Sequence, residues 1–150
     1  MTLSIHEAQL GGTPRYGNPP SYCGGAQLSA QSRHLATLLT ISGAIDAKNV
    51  DRLYERSGCF VLPDTGFVLD LSGVTSFTAD GVRLLSQLDD ACTAAGIEWA
   101  LVASRVVADR LSSGHALYPF ASSVPEALHR FADGIFARRR MLLPLLTKSA

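Results

Sequence analysis

The residues best placed to do chemistry are Thr78-Ala79-Asp80-Gly81, which lie between an apolar run, Phe67-Val-Leu-Asp-Leu71, and an amphipathic stretch that continues Val82-Arg-Leu-Leu85. A helix begun there turns unsatisfied amide N–H groups and the positive end of its dipole outward, where a phosphate or a partner's carboxylate is favoured. A nucleophile assembly is missing, because the chain has no Gly-x-Ser-x-Gly, no P-loop and no dinucleotide-binding glycine fingerprint. The four histidines, His6, His34, His115 and His129, are scattered without metal-ligand spacing, so each is read as structural or solvated and no metal or cofactor is expected. Recognition, not catalysis, is the chemistry these residue types support.

Each residue around the turn has a plain structural role beside a functional one. Thr78 is typed as an N-cap whose hydroxyl bonds the amide of residue 80 or 81, and it is also a hydroxyl that a kinase can use. Asp80 complements the helix dipole, or stands as a constant negative charge beside the turn. Asp70 closes the apolar run, where its carboxylate is expected to bond turn amides around Ser72 and Gly73. Gly81 permits close approach, either of a partner or of the neighbouring strand. Arg83, Gln87 and Asp90 lie opposite or beside the apolar stripe Val82, Leu85, Leu88 and so form the exposed face of the helix.

The elements that must hold these residues follow from periodicity. Residues 1–25 are rich in Gly, Pro, Ser and Asn and read as an irregular arm. A weak strand over 27–33, a turn at His34 and a longer strand over 35–45 form a hairpin. Asp46 is typed to cap a helix carrying Val50, Leu53, Tyr54, Ser57, Phe60 and Val61, which ends near Pro63. Phe67 to Leu71 is a compact strand, followed by a polar turn and a helix over about 79–95 with Gly96 as its stop. A strand over 97–103, a short helix over 105–111, an extended piece over 116–120 and a last helix capped by Ser122 or Ser123 complete the order. Strands alternating with helices imply crossovers, hence a small α/β domain with a mixed, mainly parallel sheet and helices packed mostly on one face.

Composition narrows the partners. Thirteen basic and thirteen acidic residues cancel, so the bulk electrostatic attraction that dominates nucleic-acid binding is missing. No run reaches the roughly 18 apolar residues of a membrane span, and Met1 to Glu7 lacks a leader pattern, which places the chain in the cytoplasm. Cys23, Cys59 and Cys92 form neither a disulfide framework nor a zinc pattern. Cys59 and Cys92 are expected on inward helix faces, inert unless they form a redox pair, and Cys23 in the arm is the most exposed of the three. The tail over 137–150 joins Arg138-Arg-Arg140 to Met-Leu-Leu-Pro-Leu-Leu146. It suits an acidic partner or a membrane surface, or a cation-complemented helix end with the hexamer folded on the domain or a second copy.

From about Gln27 to Ile135 the chain resembles the STAS domain, the family of bacterial anti-sigma-factor antagonists and related regulatory modules. Gly43-Ala-Ile-Asp46 resembles the family's Gly-Glu-Leu-Asp, and Asp70-Leu-Ser-Gly-Val-Thr-Ser-Phe-Thr-Ala-Asp-Gly81 resembles its Asp-Leu-Ser-x-Val-x-x-Ile/Met-Asp-Ser-x-Gly. The resemblance implies a STAS-like domain over 26–136 that docks on an anti-sigma factor with a serine-kinase fold and so frees a sigma factor. It also implies a switch, phosphorylation of the serine in Asp-Ser-x-Gly, which breaks the complex. Here Thr78 stands for the Asp and Ala79 for the phosphoacceptor, leaving Thr78 as the substitute hydroxyl. The expected partner surface is Gly43, Asp46, Ser72, Ser76, Thr78, Ala79, Asp80, Gly81, Arg83 and Gln87, with binding insensitive to phosphorylation at position 79. The rival implied by the same resemblance is an accessory subunit of a transporter or membrane-associated assembly; a homodimer is compatible with either.

Overall fold

The computed structural model describes residues 20–33, 35–112, 114 and 118–134. Five strands, β1 (Ser21–Cys23), β2 (Ala26–Arg33), β3 (Ala36–Ile45), β4 (Gly66–Phe77) and β5 (Trp99–Ala103), lie in that order across one sheet. β1, β2 and β3 pair antiparallel, whereas β3, β4 and β5 run parallel. Between and after them come α1 (Val50–Gly58), α2 (Ala79–Ala95), α3 (Arg105–Ser112) and a final helix, α4, over residues 124–134. A single parallel bridge from Leu101 to Phe120 extends the pairing past β5.

The burial pattern explains the layering. Phe67, Val68 and Leu69 are all fully buried, because β4 is central and covered on both faces. On one face Leu39, Ile41, Leu69, Leu71 and Leu101 meet α1, α2 and α3 through Leu53, Leu84, Leu85, Leu88 and Val107. On the other, α4 sets Ala127 and Phe131 against Leu38, Val68, Ala100 and Val102. Three helices thus share one face and the last covers the other. Each large side chain removed from water in this way contributes roughly 1.5–3 kcal/mol. The cap of α4 is reciprocal: Glu126 N–H donates to Ser123 Oγ at 3.2 Å, and Ser122 N–H donates to Glu126 Oε1 at 2.6 Å. That backbone bond, with Arg130 nearby, holds the Glu126 carboxyl below its ordinary range.

Four expectations are corrected. Residues 21–25 are not irregular: Ser21–Cys23 is an edge strand, joined to β2 by Gly24 and Gly25 at φ +42° and +96°, angles that glycine adopts without strain. Cys23 is accordingly 0% exposed in the core, while Cys59, one residue past the end of α1, is the exposed cysteine. The polar segment after Leu71 is strand, not turn. β3 and β4 stay paired to Ile45 and Phe77, with register shifts between Thr40 and Ser42 and between Gly43 and Ala44 that each take up an extra β4 residue. α1 begins at Val50 and ends at Gly58, and i→i+3 bonds carry the chain on to Val61. Leu35, at φ 74°, leads into β3; the turn expected at His34, residues 1–19 and the tail over 137–150 lie outside the described residues.

Asn49 holds these pieces in place. It is 1% exposed, and its Nδ2 donates to the carbonyls of Cys23 (3.0 Å), Gly24 (2.9 Å) and Ala44 (2.8 Å), two protons being shared among three acceptors. Its Oδ1 accepts from Asp46 N–H at 3.0 Å. One carboxamide therefore joins the β1–β2 turn, the end of β3 and the start of α1.

Two outcomes follow. Removing the amide in Asn49→Ala orphans buried carbonyls and an N–H and is expected to lower unfolding free energy by about 3 kcal/mol, read from denaturant midpoints; a loss under about 1 kcal/mol would contradict the role given to Asn49. Brief alkylation of the native protein should label Cys59 alone. Cys23 and Cys92 should react only after unfolding, Cys92 because burial, reinforced by Asp89, pushes its thiol up to about 12. Mass spectrometry of the peptides decides it.

Candidate functional site

The parallel strands β3 and β4 deliver two chain segments side by side at their carboxyl ends, where open α/β sheets commonly bind. The register Ala44↔Ser76 and Ile45↔Phe77 sets Gly43-Ala-Ile-Asp46 beside Ser76-Phe-Thr-Ala-Asp80. Thr75 Oγ1 donates to Gly43 O at 3.3 Å, and Thr78 N–H donates to Ile45 O at 3.1 Å. The family-like segments, 32 residues apart in sequence, form one surface.

Local structure fixes each side chain. Gly43 sits at φ +94°, and a Cβ there would stand 2.5 Å from Gly25 O, so no larger residue fits without moving the β1–β2 turn. Asp46 accepts Lys48 N–H on Oδ1 at 2.9 Å, closing a local turn, while its carbonyl accepts from Val50 N–H at 3.0 Å. Asp46 thus leads into α1 while Asn49 occupies the N-cap position, which corrects the expected cap. Asp70 does bond the amide of Ser72, which lies in the first bulge of β4 and not in a turn: Ser72 N–H donates to its Oδ1 at 2.9 Å.

Thr78 departs from expectation. Its backbone is extended at φ −90° and ψ 179°, and its hydroxyl bonds no amide of α2. Instead it lies 3.5 Å from Ile45 O and 3.4 Å from Asp80 Oδ2. Anchoring of Thr78 N–H to Ile45 O turns the side chain across to β3. Ala79 is exposed at the first position of α2. Gly81 is buried, and a Cβ there would lie 2.3 Å from Phe77 Cε1. The close approach that this glycine permits is therefore made to β4's own ring.

Arg83 spans two helices, 3.3 Å from Asp51 Oδ1 on α1 and 3.8 Å from Asp80 Oδ1. The groups are half or more exposed for Asp51 and near half for Arg83, so each pair is worth about 1 kcal/mol or less. From α3, Arg110 Nε donates to Phe77 O at 3.3 Å, a contact that no local pattern in the sequence marks. Asp51 and Asp80 thus face Arg83, and with Asp46, Lys48 and Arg110 nearby the acidic and basic residues of this stretch are equal in number.

Gly43, Asp46, Ser76, Thr78, Ala79, Asp80, Gly81 and Arg83 come together. Ser72 is exposed farther back along β4, and Gln87 lies two turns along α2, half-buried, with its Oε1 accepting no hydrogen bond. Asn49, missed in the sequence, is the residue that ties the patch to the hairpin; its signal was a lone Asn just before an apolar helical stripe, with Gly-Gly upstream. Among the described residues no group of three His, Cys, Asp or Glu side chains is arranged to hold a metal, and no helix is long and apolar enough to cross a membrane.

Gly81→Ala forces a methyl into the Phe77 ring and is expected to cost about 1–3 kcal/mol. The measurement is thermal or denaturant unfolding against wild type. Unchanged stability would mean that Phe77 does not fix the start of α2.

The model of the STAS domain matches residues 27–124. Osmosensory protein A of Mycobacterium tuberculosis (strain ATCC 25618 / H37Rv) is 42% identical over 155 residues, covering 99% of this chain and 98% of that protein. Among solved structures, an anti-sigma factor antagonist from Mycobacterium paratuberculosis is similar with a TM-score of 0.59 at 17% identity, over 71% of this chain and 94% of that one. SLC26A9 gives a TM-score of 0.62 at 15% identity over 85% of this chain, which corresponds to only 26% of that chain. At such identities the structural likenesses speak for the fold alone. The match over 27–124, on a sheet and helices in the order described, shows that the chain belongs to the STAS domain family.

Proposed function

We propose that this protein is a non-catalytic, cytoplasmic regulator of the anti-sigma-factor-antagonist type, working by protein–protein contact and needing no cofactor. The observation that carries the reading is the exposed first turn of α2 in a STAS domain, with Ala79 at the position where the family resemblance puts the phosphoacceptor. The partner is an anti-sigma factor with a serine-kinase fold, engaged through Gly43, Asp46, Ser76 and the Thr78 to Arg83 turn, with Ser72 and Gln87 at the margin. The fold shared with an anti-sigma factor antagonist supports this choice. The name of the relative, Osmosensory protein A, supports a place for the module in the response to osmotic conditions.

The chemistry of the switch follows from the side chains. A phosphoryl group at the first position of α2 would gain from the helix dipole, yet would bring nearly two negative charges beside Asp80 into a packed interface. Ala79 offers no oxygen for it. The Thr78 hydroxyl is half-buried and directed at Ile45 O and Asp80, so it is a poor substitute acceptor. Binding is therefore governed by the amounts of the two proteins, not by phosphate at this turn.

The test is affinity capture of the full chain and of Ala79→Ser, each followed by incubation of the captured complex with ATP. Wild type should retain an anti-sigma factor with no phosphate on the turn, while Ala79→Ser gains phosphate at residue 79 and releases it. Phosphate on Thr78 of the wild type would contradict the lost switch. Capture of a transporter subunit in place of an anti-sigma factor would contradict the partner.

A further inference from the structure

The outer edge of β2 is only partly covered. Gly25 O accepts Ala44 N–H and so faces β3. By the two-residue alternation of a strand, Ala26, Leu28, Ala30 and Ser32 then turn their N–H and C=O groups the other way. β1 takes up the first two, since its register runs from Cys23↔Ala26 to Ser21↔Leu28. Pro19-Pro20 precedes β1 in the sequence, and proline has no N–H to give to a ladder. Ala30 and Ser32 therefore each keep an outward donor and acceptor with no strand beside them among the described residues. An edge of this kind is a template for one more extended chain.

The side chains around this edge favour one sign of charge. On the face covered by α1 and α2, Ala30 borders an open recess of about 430 Å³ that has Ser29, Arg56, Cys59 and Phe60 among its walls. Arg33, one position on from Ser32 at the end of β2, projects from the opposite face. Both arginines are exposed. Arg56 Nη1 donates to the neutral Ser21 Oγ at 3.3 Å, and among the described residues neither arginine is paired with a carboxylate. The charged side chains on β2 and on the recess are thus Arg33 and Arg56, both cations, one on each side of any strand added here. A second copy of the same edge would bring like charges together. An extended segment bearing carboxylates answers both the open backbone groups and the two arginines.

We propose that β2 accepts an extended acidic peptide as an added strand, hydrogen-bonded to Ala30 and Ser32, with Arg56 and Arg33 meeting its carboxylates on the two faces of the sheet. Main-chain bonds give such a strand its hold, and the recess beside Phe60 takes one of its side chains. The surface lies on the outer edge, toward the start of β3, away from the turn at Ala79. It does not rest on the role proposed for that turn.

The test is amide exchange in the full chain, followed residue by residue by nuclear magnetic resonance during titration with acetyl-Glu-Val-Thr-Val-Glu-amide. The amides of Ala30 and Ser32 should exchange freely in the protein alone and slow saturably as the peptide is added. Binding should weaken about ten-fold in Arg56→Gln and in Arg33→Gln, the size of one lost charge-assisted hydrogen bond. Both side chains are exposed, so neither change puts the fold at risk. Binding should be lost when the central residues of the peptide are N-methylated, and should weaken when Lys replaces both Glu. No saturable slowing, equal binding of the N-methylated or the lysine peptide, or undiminished binding in either variant would overturn the assignment. So would slow exchange at Ala30 and Ser32 without peptide: constant with protein concentration, it means that the chain itself fills the edge, and rising with concentration, that a second copy does.

Discussion

One buried carboxamide carries the constraint on which the presented surface depends. Asn49 has nowhere to place its amide except among the Cys23, Gly24 and Ala44 carbonyls and the Asp46 N–H. A polar group so deeply buried is tolerable only when fully bonded. The bonds in turn oblige the β1–β2 turn, the end of β3 and the start of α1 to keep one relative position. Gly43 and Gly25 approach so closely because of that arrangement, and a backbone bond from Ala44 N–H to Gly25 O at 3.0 Å completes it. The β3 half of the proposed docking surface is thus fixed by the chain itself, which would reduce the ordering cost of association.

The other half is built by β4. Two bulges lengthen this strand relative to β3 and bring Phe77 round to cover Gly81, so α2 starts against an aromatic ring at a fixed height above the sheet. Arg110 from α3 and Arg83 toward α1 brace the same turn from either side. The exposed result is small and electrically balanced. Such a patch gains affinity from shape and from a few desolvated contacts more than from steering, in contrast to a strongly charged surface. A phosphoryl group would upset that balance, which is the physical weight of Ala79 in the proposed function.

Much of this was legible in residue order. The α/β class, the parallel core, α2 with its Gly96 stop and the role of Asp70 all follow from local patterns that packing does not override. What was hidden had a common cause, contact between segments distant in sequence. Leu71, Val74 and Phe77 recur at intervals of three, which reads as the end of a strand; only pairing with β3 shows that each interval contains a bulge residue. Cys23 and Cys59 exchanged places because β1 is defined by its partner and α1 stops one residue short of Cys59. In the candidate site, the residue types at Gly43, Asp46 and Thr78 to Gly81 were readable, but the hydroxyl direction of Thr78 was not, since it is decided by a carbonyl 33 residues away. Asn49 escaped notice because three of its four partners precede it by five residues or more.

The central claim is that the carboxyl ends of β3 and β4, with the first turn of α2, form the surface by which this STAS domain meets an anti-sigma factor. Hydrogen–deuterium exchange of the full chain, free and in complex with its captured partner, tests it most directly. The account predicts that partner-induced protection concentrates in 43–48 and 75–83 and spares the start of β5 around Trp99. Protection confined to the Trp99 end of the sheet, or to the outer edge at β1 and β2, would contradict it.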